Sequence, residues 1–200
     1  MIVGPRYKIC RRLGGSVFEK CQTQQYALSE QKKTRQTRRR GQVSDYARQL
    51  LDKQRIRFSY GVSEAQLRRY VAEATKQENP VEALFQQLEL RLDNVVFRAG
   101  FASTRRQARQ LVAHGHFTVN GRKSTIPSHA LTSGDVVAVR GGSRERAYFQ
   151  NNAERFAAAD APTWMTTDPS ALTTTLTAAP AFDPTLAAGD LSVVLEFYSR

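Results

Sequence analysis

Within STRRQARQLVAHGHFTVNGRKS, residues 103–124, Arg105, Arg106 and Arg109 fall inside five positions. His114 and His116 follow, and Arg122 and Lys123 come just after an Asn-Gly pair. Guanidiniums held in a fixed row grip phosphate oxygens through two-pronged hydrogen bonds that a lysine ammonium cannot form. Read as a helix, the segment puts Ala108, Leu111 and Val112 on one side and the three arginines on the other, within an arc of roughly one hundred degrees. Leu92, Val95, Val96 and Phe101 precede it and can cover the apolar side. The expectation is an apolar seam between two helices with an outward patch of Arg105, Arg106 and Arg109, extended by His114, His116, Arg122 and Lys123. A rigid patch of this kind suits folded RNA better than duplex DNA, whose major groove calls for a recognition helix with base-reading side chains.

The other reactive side chains form no catalytic set. Asp93, in Arg91-Leu92-Asp93, is an isolated carboxylate. A capping or pairing role at a helix junction is the stronger reading, because an isolated carboxylate rarely marks catalysis without a partner group. His114, His116 and His129 stand apart from any cysteine, serine or carboxylate arrangement of the nucleophilic kind, and no glycine-rich loop resembles a nucleotide cradle. Cys10 and Cys21 are the two cysteines; they are too few for a disulfide framework and lack the nearby histidines of a four-ligand zinc site. Reduced, partly buried thiols are expected, with no metal, no cofactor and no catalytic residue.

The net charge of +12, at a pI near 10.2, is strongly directional. Residues 1–72 hold 17 Lys/Arg against 5 Asp/Glu, residues 73–150 hold 11 against 7, and residues 151–200 hold 2 against 6. Such a gradient fits a polyphosphate partner, since each neutralised phosphate releases condensed counterions. The cations expected to meet it are Arg6, Lys8, Arg11, Arg12, Arg38, Arg39 and Arg40 in a basic arm over 1–43. Arg48, Lys53, Arg55 and Arg57 follow on a first helix, and Arg68 and Arg69 on a second. No run approaches eighteen apolar residues, so no membrane crossing is expected. The opening MIVGPRYKICRRLGG lacks the apolar core of a secretory leader, which places the expected site of work in the cytoplasm or in an organelle's own translation compartment.

These residues need elements to hold them. The thin apolar pattern of residues 1–43 predicts an extended arm, with at most a short helix, that orders on its partner. Ser44 caps a helix whose core face is expected through Ala47, Leu50, Leu51 and Phe58; Gly61 ends it. Ser63 with Gln66 makes a capping box for a helix burying Leu67, Tyr70, Val71 and Ala74, and Asn79-Pro80 starts a third. Beyond Gly100 a short helix capped by Ser103 or Thr104 ends at Gly115. A hairpin turns at Asn120-Gly121, and TSGDVVAVR supplies another strand. A small helix is expected over 151–161 and loop over the Thr/Ala-rich stretch to Gly189. A closing strand is expected from the alternation of Leu191, Val193, Leu195 and Phe197. The organisation expected is an arm at 1–43, a helical subdomain at 44–90 able to receive the C-terminal segment, a module with a small sheet at 91–190, and a strand at 191–200.

RLDNVVFRAGFASTRRQARQLVAHGHFTVNG resembles the αL-type RNA-binding module named after the fourth small-subunit ribosomal protein. That module also occurs in pseudouridine synthases, bacterial tyrosyl-tRNA synthetases and ribosome-rescue factors. SDYARQLLDKQRIRFSYGVSEAQLRRYV, Pro162-Thr163-Trp164 and the terminal VVLEFYSR are similar to the ribosomal protein itself, in the same order. The chain is identified as a member of that family, of bacterial or organellar type, nearly end to end. The resemblance implies an α+β fold: a helical N-terminal subdomain plus a small mixed α/β RNA-binding domain containing the αL-type module. It also implies a structural, rRNA-binding constituent of the small ribosomal subunit that binds early at a multi-helix junction, helps nucleate assembly of the subunit body and contributes to translational accuracy. Neighbours would be small-subunit proteins five and twelve, near the messenger RNA entry channel. Residues 21–41 depart from the Cys-rich or Pro-Gly-x-His-Gly-containing segment of many members. Two readings compete: an RNA-modifying factor of pseudouridine-synthase type, in which Arg91-Leu92-Asp93 would be catalytic but the module precedes a large catalytic domain, and a ribosome-associated rescue or regulatory factor, which would lack the helical part at 44–90 and the terminal EFYSR.

Overall fold

The computed structural model describes residues 4–34, 44–150, 156 and 161–199. They divide into two compact units, one of residues 1–84 with 183–200, the other of residues 85–182. Among the described residues no helix is long and apolar enough to cross a membrane.

In the first unit, helix α1 (Arg6–Leu13) is followed by two short 3-10 turns (Gly15–Val17 and Glu19–Cys21) and by α2 (Gln24–Thr34). Cys10 and Cys21 are joined in a disulfide eleven residues apart in sequence, buried beside Tyr26 and flanked by Tyr7 and Phe18. Both expectations for this region are corrected. The described part of the arm is folded rather than extended, and the thiols are paired rather than reduced. Too few apolar residues are present here for a core of ordinary size, and the covalent link supplements it.

Helices α3 (Asp45–Ser59) and α4 (Glu64–Ala74) begin where the caps predict. Ser44 Oγ accepts from the Ala47 amide at 3.3 Å and Ser63 Oγ from the Gln66 amide at 3.2 Å. On α4, Leu67, Val71 and Ala74 are buried and Tyr70 is half-buried. On α3 the buried line runs through Lys53 and Ile56 toward Tyr60, whereas Ala47, Leu50, Leu51 and Phe58 are half-buried. The chain's last described segment explains the shift: Leu191–Ser199 is a helix, packed on α3 and α4. The expected closing strand is thus corrected. Leu191 and Val194, three apart, are the buried pair of a helical face, not alternate residues of a strand.

Helix α5 (Pro80–Glu89) starts with Asn79 Oδ1 accepting from the Glu82 amide at 3.4 Å and runs into the second unit. There α6 (Leu92–Arg98) and α7 (Arg105–Ala113) pack together, and Thr104 caps α7 by accepting from the Gln107 amide at 2.8 Å. Strand β1 (Phe117–Val119) turns at Asn120 and Gly121 (φ 49° and 79°) into β2 (Arg122–Ser124); β3 is Val136–Val139. Two four-residue helices follow, α8 (Gly141–Arg144) and α9 (Ala147–Gln150). The segment expected to be loop contributes β4 (Met165–Asp168) and β5 (Thr173–Leu176), giving an antiparallel sheet in the order β2-β1-β3-β5-β4. Threonine is β-branched and packs well on a pleated surface, so its run forms strand despite its low complexity. The helix Leu191–Ser199 is α10. The helix expected over 151–161 lies outside the described residues apart from Phe156, which is helical, and Ala161.

The core of the second unit joins α6 and α7 to the sheet: Leu92, Val95, Val96, Phe101, Ala108, Val112, Phe117, Val137 and Val139 are all buried. Leu111, expected on the apolar side of α7 with Ala108 and Val112, packs at the half-buried margin of the core.

Candidate nucleic-acid interface

The seam between α6 and α7 forms, but the arginines on its outer side do not all stand free of it. Glu89 at the end of α5 has no exposure and Asp93 in the first turn of α6 has little, and these two carboxylates organise the guanidiniums around them. Arg98 binds Glu89 through both Nε and Nη2 at 2.9 Å. Arg91, itself 1% exposed, binds Asp93 with Nε at 3.0 Å and Nη2 at 2.7 Å, and Arg109 Nε approaches the same carboxylate at 3.1 Å. Arg105 donates from Nε to Asn94 Oδ1 at 2.6 Å, lies 3.9 Å from Glu89, and covers the Phe97 ring at 4.6 Å. The expected outward trio is therefore corrected. Arg106 is exposed, whereas Arg105 and Arg109 are half-buried and engaged with acidic or amide groups of their own chain. Burying Glu89 and Asp93 without cations would be costly, so the folded unit requires these arginines before any ligand arrives.

Their side chains nevertheless keep 20% and 30% exposure, so pairing orders them without hiding them. A guanidinium carries five donors, and one bound edge leaves the group planar and directed. Asp93 is committed to two guanidiniums, in keeping with the pairing role read from its position.

His114 is exposed, but His116 is 9% exposed, with Nδ1 2.9 Å from the Ser143 hydroxyl, and so is not part of the surface patch. Burial, then repulsion by Arg146, His114 and Arg140, holds its imidazole below the ordinary histidine range, leaving it neutral near pH 7. Arg122 and Lys123 are exposed on β2. They line an open depression of about 590 Å³ together with Asn120, Thr125 and His129. The Lys123 chain crosses Gly115, where a Cβ would lie 2.3 Å from the movable Lys123 Cε; the φ of +72° is what favours glycine there.

In the first unit the expected cations separate similarly. Lys8, Arg12, Arg48, Arg68 and Arg69 are exposed, although Arg48 lies 3.7 Å from Asp45. Arg6 and Arg11 are half-buried. Arg55 donates to the Leu13 carbonyl at 2.9 Å and meets Asp52 at 3.0 Å, while Arg57 reaches Glu64 at 3.3 Å. Lys53 is corrected from a surface contact to a buried one: it is 5% exposed, bonded to Glu64 at 2.5 Å, with the Phe197 ring 4.3 Å away. Arg38, Arg39 and Arg40 lie outside the described residues. Sequence reading alone misses Glu89 and Asn94, which organise the arginines; the signal available is a helix-ending acid five residues before an asparagine, with arginines at 98 and 105.

Residues 2–89 match the family described as Ribosomal protein S4/S9 N-terminal domain, and residues 90–137 match the S4 domain. The chain is 45% identical, over 205 residues, to the Small ribosomal subunit protein uS4 of Roseiflexus castenholzii, covering 99% of this chain and 98% of that protein. It is 42% identical to the protein of the same name from Chloroflexus aurantiacus over 207 residues, with 99% and 98% covered. That of Herpetosiphon aurantiacus is 46% identical over 165 residues, 81% of this chain and 78% of its own.

Proposed function

Because the chain belongs to the small ribosomal subunit protein uS4 family, we propose that it binds small-subunit ribosomal RNA directly as a structural constituent of the ribosome. The observation that carries this reading is the set of exposed cations on a folded module: Arg106 on α7, with Arg122 and Lys123 on the hairpin. Arg105 and Arg109, on the same helix as Arg106, are already oriented by Asn94 and by the buried carboxylates. Phosphate oxygens of folded RNA are the ligand that such donors fit. The exposed Lys8, Arg12, Arg48, Arg68 and Arg69 of the first unit supply further phosphate contacts. Arg38, Arg39 and Arg40 are assigned to the same task on sequence grounds.

The finer role follows the family: early binding at an RNA junction, promotion of subunit-body assembly, and a contribution to decoding accuracy beside small-subunit proteins five and twelve, near the messenger entry channel. The bacterial origin of the relatives supports work on cytoplasmic ribosomes. The enzymatic alternative is not favoured. The relatives bear a ribosomal-protein name over nearly their whole length, and the carboxylate it would use, Asp93, is held by Arg91 and Arg109.

Crosslinking the full chain to total RNA from a bacterial cell tests the proposal. Small-subunit ribosomal RNA should dominate the crosslinked pool, and a pool that mirrors bulk RNA abundance would reject it.

A further inference from the structure

Asn94 is 1% exposed and makes three hydrogen bonds that run in one direction. Its amide nitrogen donates to the Glu89 carboxylate at 2.7 Å and to the Glu89 carbonyl at 3.1 Å, while its amide oxygen accepts from Arg105 Nε at 2.6 Å. This partner set fixes the amide's orientation, because a flipped amide would turn oxygen toward a carboxylate and NH2 toward a guanidinium. Asn94 in effect lies between a buried acid and a partly exposed cation that stand too far apart for a hydrogen bond; Arg105 Nη2 is 3.9 Å from Glu89. The Phe97 ring supports the guanidinium from its face, with Cζ 4.6 Å from the centroid. Arg105 is thus held along an edge and across a plane while 20% of its side chain remains exposed.

An ordinary surface arginine is ordered only when it meets its ligand, and that ordering weakens binding. One ordered in advance avoids that loss. We propose that Asn94 is a positioning residue for RNA recognition, which sets the Arg105 guanidinium to meet a phosphate oxygen in a fixed orientation. The inference rests on the RNA-binding reading above. Asn94 itself touches no RNA and acts through Arg105.

The test is a double-mutant cycle read in RNA affinity, using the full chain and a small-subunit ribosomal RNA transcript at fixed salt. Arg105→Lys keeps the charge but removes the planar group that Asn94 grips. Affinity should fall roughly threefold to tenfold, with an unchanged slope of log affinity on log salt, since the number of cations is the same. Asn94→Ala should weaken binding by itself, and in its presence the Arg105→Lys loss should shrink to less than about twofold, as expected for coupled residues. Losses that simply multiply would overturn the positioning role. Should Asn94→Ala fail to keep the helical signal, Arg105→Lys decides alone, and an affinity within about twofold of the parent overturns the proposal. A wider failure has a different signature: Arg105→Gln and Arg106→Glu would both leave affinity unchanged, so the module would not contact RNA at all.

Discussion

The Lys53 ammonium donates to the Glu64 carboxylate at 2.5 Å while lying 4.3 Å from the centre of the Phe197 ring. A residue expected on the RNA-facing side of α3 is instead the point at which α3, α4 and α10 meet. Tyr198 completes the arrangement by donating its hydroxyl to Glu64 at 2.7 Å. Replacing Lys53 with methionine keeps the packed stem and removes the charge, leaving Glu64 with Arg57 as its cation and the Phe197 ring without one. Lys53→Met should lower stability by about 1–3 kcal/mol, seen as a lower midpoint in urea. An unchanged midpoint would show the pair to be incidental.

The same cluster sets an acid-dependent term. Burial works to raise the Glu64 carboxyl, but hydrogen bonds from Lys53 and Tyr198, with the charges of Lys53 and Arg57, outweigh it and hold the group below its ordinary 4.5. A depressed folded value means that this contribution is present above pH 4.5 and is lost as pH falls through the folded value. Between pH 7 and pH 3 the parent should therefore lose more stability than Glu64→Gln does, as measured by thermal midpoints. Parallel curves would remove Glu64 from the acid response.

His116 acts in a higher window. Its folded value lies below the ordinary 6.5, because burial disfavours the cation and Arg146 and Arg140 repel it. The unfolded chain then binds the proton first, so stability is full above pH 6.5 and declines as pH falls from there toward the folded value. His116→Gln keeps a partner for the Ser143 hydroxyl and cannot take up charge in this range. Denaturation midpoints of the variant between pH 7.5 and pH 5.5 should be flatter than those of the parent, and equal slopes would count against the assignment.

Arg106 and Arg109 are neighbours on α7 with different consequences. Arg106→Glu should weaken RNA binding, leave the thermal midpoint nearly unchanged, and reduce the salt slope by roughly 0.7–0.9 for each phosphate it ceases to neutralise. Arg109→Glu would bring a second carboxylate to Asp93, now 3.1 Å from Arg109 Nε, and should destabilise the fold itself. If both variants melt like the parent, the internal pairing of Arg109 contributes nothing to the fold.

The Cys10–Cys21 bond closes a short loop in the arm. For a loop of this size, reduction should cost the first unit about 2–3 kcal/mol through freedom restored to the unfolded chain. The readout is faster proteolysis before Phe18 and Tyr26 under dithiol reductant, with no change in a Cys10→Ser, Cys21→Ser double variant on adding the same reagent. Identical cleavage rates in oxidised and reduced parent would discard the stabilising role.

Local chemistry is the legible part of the sequence. Ser44, Ser63 and Thr104 cap helices, and Asn120-Gly121 turns a hairpin, because each acts through backbone groups only a few residues away. Long-range pairing is not legible in the same way. Leu191, Val193, Leu195 and Phe197 alternate like a strand, but over nine residues the apolar positions satisfy a helical face as well, and packing on α3 selects the helix. Lys53 reads as a surface cation because its partners, Glu64, Phe197 and Tyr198, are 11, 144 and 145 positions away. The arginines at 105 and 109 do fall on the expected side of α7, but the acids that hold them belong to α5 and α6.

Helix α10 carries a temporal consequence. The whole second unit, residues 85–182, is synthesised between Lys53 and the Phe197 and Tyr198 that cover its charge. While the nascent chain is being extended, α3 and α4 must wait with a half-clad ammonium and an apolar flank, and only emergence of the distal helix lets them close. Maturation of the first unit thus trails translation of the entire second one.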